Sequence, residues 1–177
     1  MFFVRSAEVI PCPCCLGHLG IVGSRRRGYI QSSGQSVKLI IRRLRCKDCK
    51  KIHHELPNIL VPYKRHEAAS IEQAVKEVNP AVAADESTLY RWRSWFKVWA
   101  VYATRCLSAL AHRYGFPVEE SSIPTQSPLQ PFGQWVGQAD KWLGQIVRPI
   151  ANANLWVQTR SAFLSAVVPS TFMLALP

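Results

Sequence analysis

Apolar and polar positions follow two different periods along this chain, one before residue 66 and one after it. The clearest period-two stretch is Val37-Lys38-Leu39-Ile40-Ile41-Arg42-Arg43-Leu44-Arg45. It is rich in β-branched residues, and its later part puts Ile41, Arg43 and Arg45 on one face and Arg42 and Leu44 on the other. Phe2-Phe3-Val4 reads as a short lead-in strand, and Ile21-Val22 as the start of another. A Gly/Ser-rich turn, Ser32-Ser33-Gly34, lies between Arg25–Arg27 and the best strand, so the segment reads as a hairpin. Leu56 to Tyr63, bracketed by Pro57 and Pro62, reads as an extended linker.

Beyond residue 66 the apolar spacing becomes helical. Ser70-Ile71-Glu72-Gln73 has capping-box spacing, with Ser70 as N-cap and Gln73 at N3. The helix it opens runs to about Val78, with Ile71, Ala74, Val75 and Val78 on one side. Asn79-Pro80 stops it and starts a short second helix, because proline suits a first helical position. Asp85 to Thr88 offers a fresh N-cap. A long helix then runs from Leu89 to about Tyr114, ended by Gly115 and Pro117. Its stripe is Leu89, Trp92, Phe96, Trp99, Ala103, Cys106, Leu107 and Leu110. Pro117, Pro124, Pro128 and Pro131 mark 116–133 as a linker. Past it, Trp135, Ala139, Trp142, Leu143 and Ile146 fit one helix until Arg148-Pro149 ends it. A further helix spans Asn154–Val168, with Trp156, Phe163 and Val167 inward.

Chemistry enters through the cysteines. Cys12 and Cys15 form one CxxC, Cys46 and Cys49 another, with thirty residues between the pairs. Each pair aims two sulfurs at one point, which is what a tetrahedral Zn²⁺ needs. The usual two-pair pattern has a spacer of about 15–20 residues, and the longer one here fits a zinc ribbon with an extended hairpin. Cys14 also sits in the first pair and can replace Cys15, while His18, His53 and His54 lie close enough to replace one thiolate. Iron, redox chemistry and unligated thiols are the competing uses. No secretory leader is read, since Arg5 and Glu8 interrupt the apolar start. That leaves a cytoplasmic chain with structural zinc as the expectation. A closed four-thiolate site has no open position, so it implies no metal catalysis.

Charge sharpens this picture. The chain carries a formal +11, and residues 1–66 hold 13 Lys/Arg against 3 Asp/Glu. Arg25, Arg26, Arg27, Arg42, Arg43, Arg45, Lys47, Lys50 and Lys51 gather on the hairpin and its second knuckle. Such a patch neutralises phosphates without reading sequence. On the long helix, Ser87, Thr88, Arg91 and Ser94 are placed to read base edges, with Arg93 and Lys97 on phosphates; a plain helical hairpin with a solvated basic face is the alternative. No apolar run reaches membrane-spanning length.

The expected architecture is therefore α+β: a zinc ribbon (1–66), a helix-turn-helix (67–115), a linker (116–133) and a helical C-terminal segment (134–177). That segment can pack on the long helix or form a homodimer contact.

Three stretches carry a resemblance: Arg45–Cys49, Leu56–Arg65 and Ser87–Phe96. Over roughly residues 8–100 the chain is similar to uncharacterised bacterial proteins that share a domain of unknown function. It also resembles the zinc-ribbon plus helix-turn-helix front end of insertion-sequence transposases. The resemblance implies DNA binding, a tie to mobile elements, Cys12, Cys15, Cys46 and Cys49 as ligands, and a recognition helix over Ser87–Lys97. A full transposase also needs acidic residues that hold two divalent metals. The aspartates here are Asp48, Asp85 and Asp140 only, so no nuclease or strand-transfer activity is expected. An RNA-binding ribbon and a protein-interaction adaptor are the alternative functions.

Overall fold

A computed structural model of the chain describes residues 2–6, 8–117, 132–136, 141–156 and 162–165. The fold is mixed α+β, with one five-stranded sheet. β1 is Phe2–Phe3, and β2 (Leu19–Ile30) and β3 (Ser36–Cys46) make a long antiparallel hairpin. Its register runs from Leu19 opposite Cys46 to Ile30 opposite Ser36. One irregularity falls between Ile21 and Gly23, where Gly23 takes a φ of 149° that suits glycine alone. On its other edge β3 takes β1 in parallel and then β4 (Ile52–Pro57) in antiparallel.

Strand alternation decides which residues the helices cover. Leu39, Ile41, Tyr29 and Leu56 share one face of the sheet and are buried. They join a single apolar cluster with α1 (Ala68–Lys76), α2 (Glu86–Arg113) and α4 (Trp142–Asn152). A fourth, short helix, α3, spans Gly133–Val136. Phe96, Trp99, Phe132, Trp142 and Trp156 form an aromatic centre, with Phe96 and Trp142 edge-on at 5.4 Å. Such pairs add about 0.5–1.5 kcal/mol each beyond their buried area. Trp92 and Trp99 are core, and Cys106 is a buried small hydrophobe. The C-terminal segment does pack on the long helix: Trp142, Leu143, Ile146, Val147 and Ile150 are buried within the chain.

Four local expectations are corrected. First, α1 starts at Ala68 with Glu67 as N-cap, and Ser70 lies inside it with its hydroxyl buried and unpartnered. Two tertiary contacts set the earlier start: Ser32 N–H donates to the Glu67 carboxylate (2.6 Å) and Ala68 N–H donates to Ile59 O (2.8 Å). Second, the short helix expected at Pro80 does not form. Ala83 N–H instead donates to Ser32 O (3.0 Å), docking the segment on the hairpin turn. Two helices, rather than three, thus span 68–113. Third, α4 runs through Pro149 to Asn152. The lost hydrogen bond and the ring clash cost about 3 kcal/mol, and burial of Ile150 and Ala151 on the far side offsets it. Fourth, where a helix was expected over Asn154–Val168, β5 (Ala162–Ser165) pairs in parallel with β4 from His54 to Pro57. It satisfies the β4 edge that β3 leaves open. Ala139 and Val167, the Phe163 side chain and most of the 116–133 linker lie outside the described residues.

The N-cap read at Asp85 is present, its carboxylate accepting from Thr88 N–H (2.6 Å). Just before α1, the turn Val61-Pro62-Tyr63-Lys64 closes through Lys64 N–H to Val61 O (3.1 Å). Tyr63 occupies its third position at φ 64°. A non-glycine residue there costs about 1–2 kcal/mol.

Candidate metal centre

The two CxxC turns are built alike. Cys12 N–H donates to Gly17 O (2.9 Å), and Cys46 N–H to Lys51 O (3.0 Å). The residue after each second cysteine is left-handed: Leu16 at φ 63°, Lys50 at φ 62°. A bond from Lys47 N–H to His18 O (3.1 Å) ties the knuckles together. They meet so closely that a Cβ on Gly17 would lie 1.8 Å from an Asp48 carboxylate oxygen. A side chain there would have to push the Asp48 carboxylate aside.

This geometry gathers four free thiols. The sulfurs of Cys12, Cys15, Cys46 and Cys49 lie within 4.8 Å of one another. Cys12 and Cys49 are 3.6 Å apart, Cys15 and Cys46 3.5 Å. Four sulfurs bonded at about 2.3 Å around tetrahedral zinc stand nearly as far apart. The cluster therefore fits a tetrahedral, thiolate-bound metal ion, a donor set that suits zinc or iron. Burial pushes the Cys12 thiol up to about 12, against the pull of the Cys14 and Cys15 amides. Burial also raises Cys46, but the Cys49 and Asp48 N–H groups outweigh it and bring that thiol down to about 7. Cys46 thus ionises more readily than Cys12. Bound zinc would leave four thiolates with a net charge of −2, and Arg45, Lys47 and Lys50 surround it.

A second group of potential ligands shares only Cys12 with the first. Cys14 and the fully buried His53 group with Cys12, His53 Nε2 lying 3.3 Å from the Cys12 sulfur. Burial, and then Lys51, hold His53 below the usual imidazole range, so it is neutral near pH 7. His18 and His54 are not in either group.

The nine hairpin and knuckle cations have unequal environments. Arg42 Nε and Nη2 grip the buried carboxylate of Glu55, which also accepts from Ser6 N–H (2.7 Å). Arg27 is half-buried, and its Nη2 donates to Lys64 O (2.9 Å). Arg25, Arg26, Arg45, Lys47, Lys50 and Lys51 are exposed and Arg43 half-exposed. Burial first, then Arg25, Arg43, His53 and Arg27, hold His54 below the usual imidazole range. These cations therefore surround one patch of the sheet.

On α2 the expected contact residues divide too. Arg93 donates to Ala74 O (2.7 Å), Glu77 O and Val78 O (both 2.8 Å), so it caps the C-terminal end of α1. Arg91 folds back on Ser87 O (3.1 Å) and on the Thr88 hydroxyl (3.0 Å). Ser87 and Lys97 are exposed, Thr88 and Ser94 half-buried. Sequence reasoning missed Glu55 and Glu72. Buried Glu72 of α1 accepts from Leu143 N–H (2.8 Å) and Lys141 N–H (3.1 Å), capping α4 from a distant helix.

Together the fold and the cluster define a class: an α+β chain whose strand hairpin ends in a four-cysteine group able to hold a metal ion. Residues 12–92, which reach from the first ligand cysteine into α2, match the family model of a domain of unknown function (DUF6431). No curated protein and no solved structure matches the chain. No described helix is long and apolar enough to cross a membrane.

Proposed function

We propose that this chain is a zinc-stabilised DNA-binding protein of the cytoplasm, associated with a mobile element. The observation that carries it is the set of cations left uncompensated on the hairpin and its second knuckle. Among the described residues, Arg25, Arg26, Arg43, Arg45, Lys47, Lys50 and Lys51 make no salt bridge. Like charges held together on a rigid hairpin repel, and a polyanion relieves that repulsion. The resemblance of Arg45–Cys49, Leu56–Arg65 and Ser87–Phe96 to transposase front ends favours DNA and a mobile-element setting. With Arg93 occupied at the end of α1, the hairpin supplies most of the phosphate contacts. The start of α2, through Ser87, Thr88 and Arg91, supplies base contacts.

The test is duplex affinity against salt. Each phosphate contact adds about −0.9 to the slope of log K against log salt, so Arg25→Ala/Arg26→Ala should flatten that slope by roughly 2. Arg91→Ala should relax preference at one base position. Affinity that ignores salt sinks the reading, and stronger binding to structured RNA redirects it to the RNA alternative. Purified protein with Mg²⁺ should leave DNA uncut.

A further inference from the structure

Tyr63 sits in the wrong place for its residue type. The turn Val61-Pro62-Tyr63-Lys64 has proline at its second position and needs a left-handed residue at its third, which is glycine's position in a type II turn. Tyr63 takes φ 64° there with 63 % of its surface exposed. Among the described residues its ring joins no aromatic pair and its hydroxyl makes no hydrogen bond. Folding therefore gains little from the ring and bears its backbone strain. Strain of this kind is held where the surroundings fix it, and it gathers at sites of function.

The surroundings do fix it. Arg27 Nη2 holds Lys64 O (2.9 Å), Lys64 Nζ lies 4.1 Å over the Trp95 ring, and Ile30 N–H donates to Arg65 O (2.8 Å). The turn is thus pinned to β2 and to α2 just after Tyr63, while Val61 and Pro62 before it are buried, and the ring projects from a rigid base. Arg27, whose pKa burial and then Arg25 lower, joins β2 to the residue that follows Tyr63. Arg65, two residues on, is exposed as well.

We propose that Tyr63 is a stacking platform for an unpaired nucleobase, reached by a strand whose phosphates follow Arg25 and Arg65. This deepens the nucleic-acid reading and rests on it. In a closed duplex both faces of an internal base are already stacked, so a ring held on a rigid turn can gain a partner only at an unpaired base. Stacking of this kind is sequence-tolerant, because every base has a π-face.

The zinc-loaded full chain and its Tyr63→Gly and Tyr63→Phe variants would be titrated into labelled oligo(dT), oligo(rU) and a closed duplex hairpin. Tyr63→Gly should lose roughly tenfold or more on the single strands and less than about twofold on the duplex. Tyr63→Phe should stay near wild type. Relief of the left-handed strain should outweigh the added freedom of the unfolded chain, so the Tm of Tyr63→Gly holds or rises by about 2 °C. A loss on oligo(dT) alone assigns the base to DNA, and an equal loss on oligo(rU) shows that the sugar is not read. A fall in Tm makes the ring part of the fold and overturns the proposal. So does an equal loss on duplex and single strands, or no loss at all. If the wild type binds none of the probes, the nucleic-acid reading itself fails and this one with it.

Discussion

Arg42→Met is the substitution that separates a scaffold arginine from a phosphate-binding one. Glu55 is fully buried, and the Arg42 side chain is 23 % exposed. Arg42 meets both carboxylate oxygens, and Ser6 N–H meets one of them. At the effective dielectric that suits such sites, opposite charges about 4 Å apart attract by roughly 4 kcal/mol. Removing the cation leaves the carboxylate in place, still shielded from water. Breaking a buried pair in this way costs about 3–5 kcal/mol, and the exposed edge of Arg42 argues for the lower half of that range. About 3–4 kcal/mol is a large part of the total stability of a single domain, and it should lower Tm by roughly 10 °C. Urea denaturation of the zinc-loaded protein, followed by far-UV circular dichroism, measures it. Arg26→Ala, at a fully exposed neighbour, should cost less than about 0.5 kcal/mol. Arg42→Met/Glu55→Leu should recover most of the loss, because it removes the stranded charge. A loss under about 1 kcal/mol for Arg42→Met would refute the reasoning. So would a drop in DNA affinity at unchanged stability, which would return Arg42 to the interface.

Two further outcomes follow from buried polar contacts. Glu72→Ala removes the acceptor for the Leu143 and Lys141 amides and should cost about 1–2 kcal/mol, the range for a lost helix cap; Glu72→Gln keeps an oxygen and should cost less, both read from denaturation midpoints. His66 packs edge-on to Trp92 at 4.7 Å, and burial lowers its pKa from 6.5 more than Asp85 raises it. Its folded pKa lies below its unfolded one, so its contribution is complete above about pH 6.5 and is lost as pH falls through the folded value; Tm should drop more steeply between about pH 7 and 5 in the wild type than in His66→Phe.

The long hairpin strand was legible from a β-branched run that follows a Gly/Ser turn, and α2 because stripe and cap agreed: Asp85 stands where the cap was read. The two cysteine pairs were legible because their chemistry is local, two ligands per tight turn. What failed depended on partners distant in the chain. Ser70 has a perfect capping-box context, yet α1 starts earlier because Ser32 and Ile59 hold Glu67 and Ala68. Pro149 reads as a stop, and burial of Ile150 overrides it. Arg42 and Arg93 are indistinguishable from Arg26 in a charge count. Only the positions of Glu55 and of the end of α1 show that these two serve the scaffold. The lone acid Glu55 in an otherwise basic strand region was the one available hint.

A metal held by the four cysteines would have a specific mechanical task, which follows from where the apolar core stops. Tyr29, Leu39 and Ile41 anchor the turn end of the hairpin under the helices. At the cysteine end Leu16, Ile21 and Val22 are exposed, and the buried groups are Cys12, Cys46, Leu44 and His53. No described helix covers that end, so the knuckles would depend on ligand bonds rather than on area removed from water. Chelation should therefore release amide protection over Leu19–Ile21 and Arg45–Ile52 while α1, α2 and α4 keep theirs. Cys46→Ser should do the same. DNA affinity should fall with it, because Arg45, Lys47, Lys50 and Lys51 lose their fixed spacing, whereas Arg25 and Arg27 lie closer to the anchored end. Hydrogen exchange with and without chelator decides it: joint loss of helical and knuckle protection would mean that the metal holds the whole fold. Unchanged knuckle protection would mean that the cysteines need no metal to stay together.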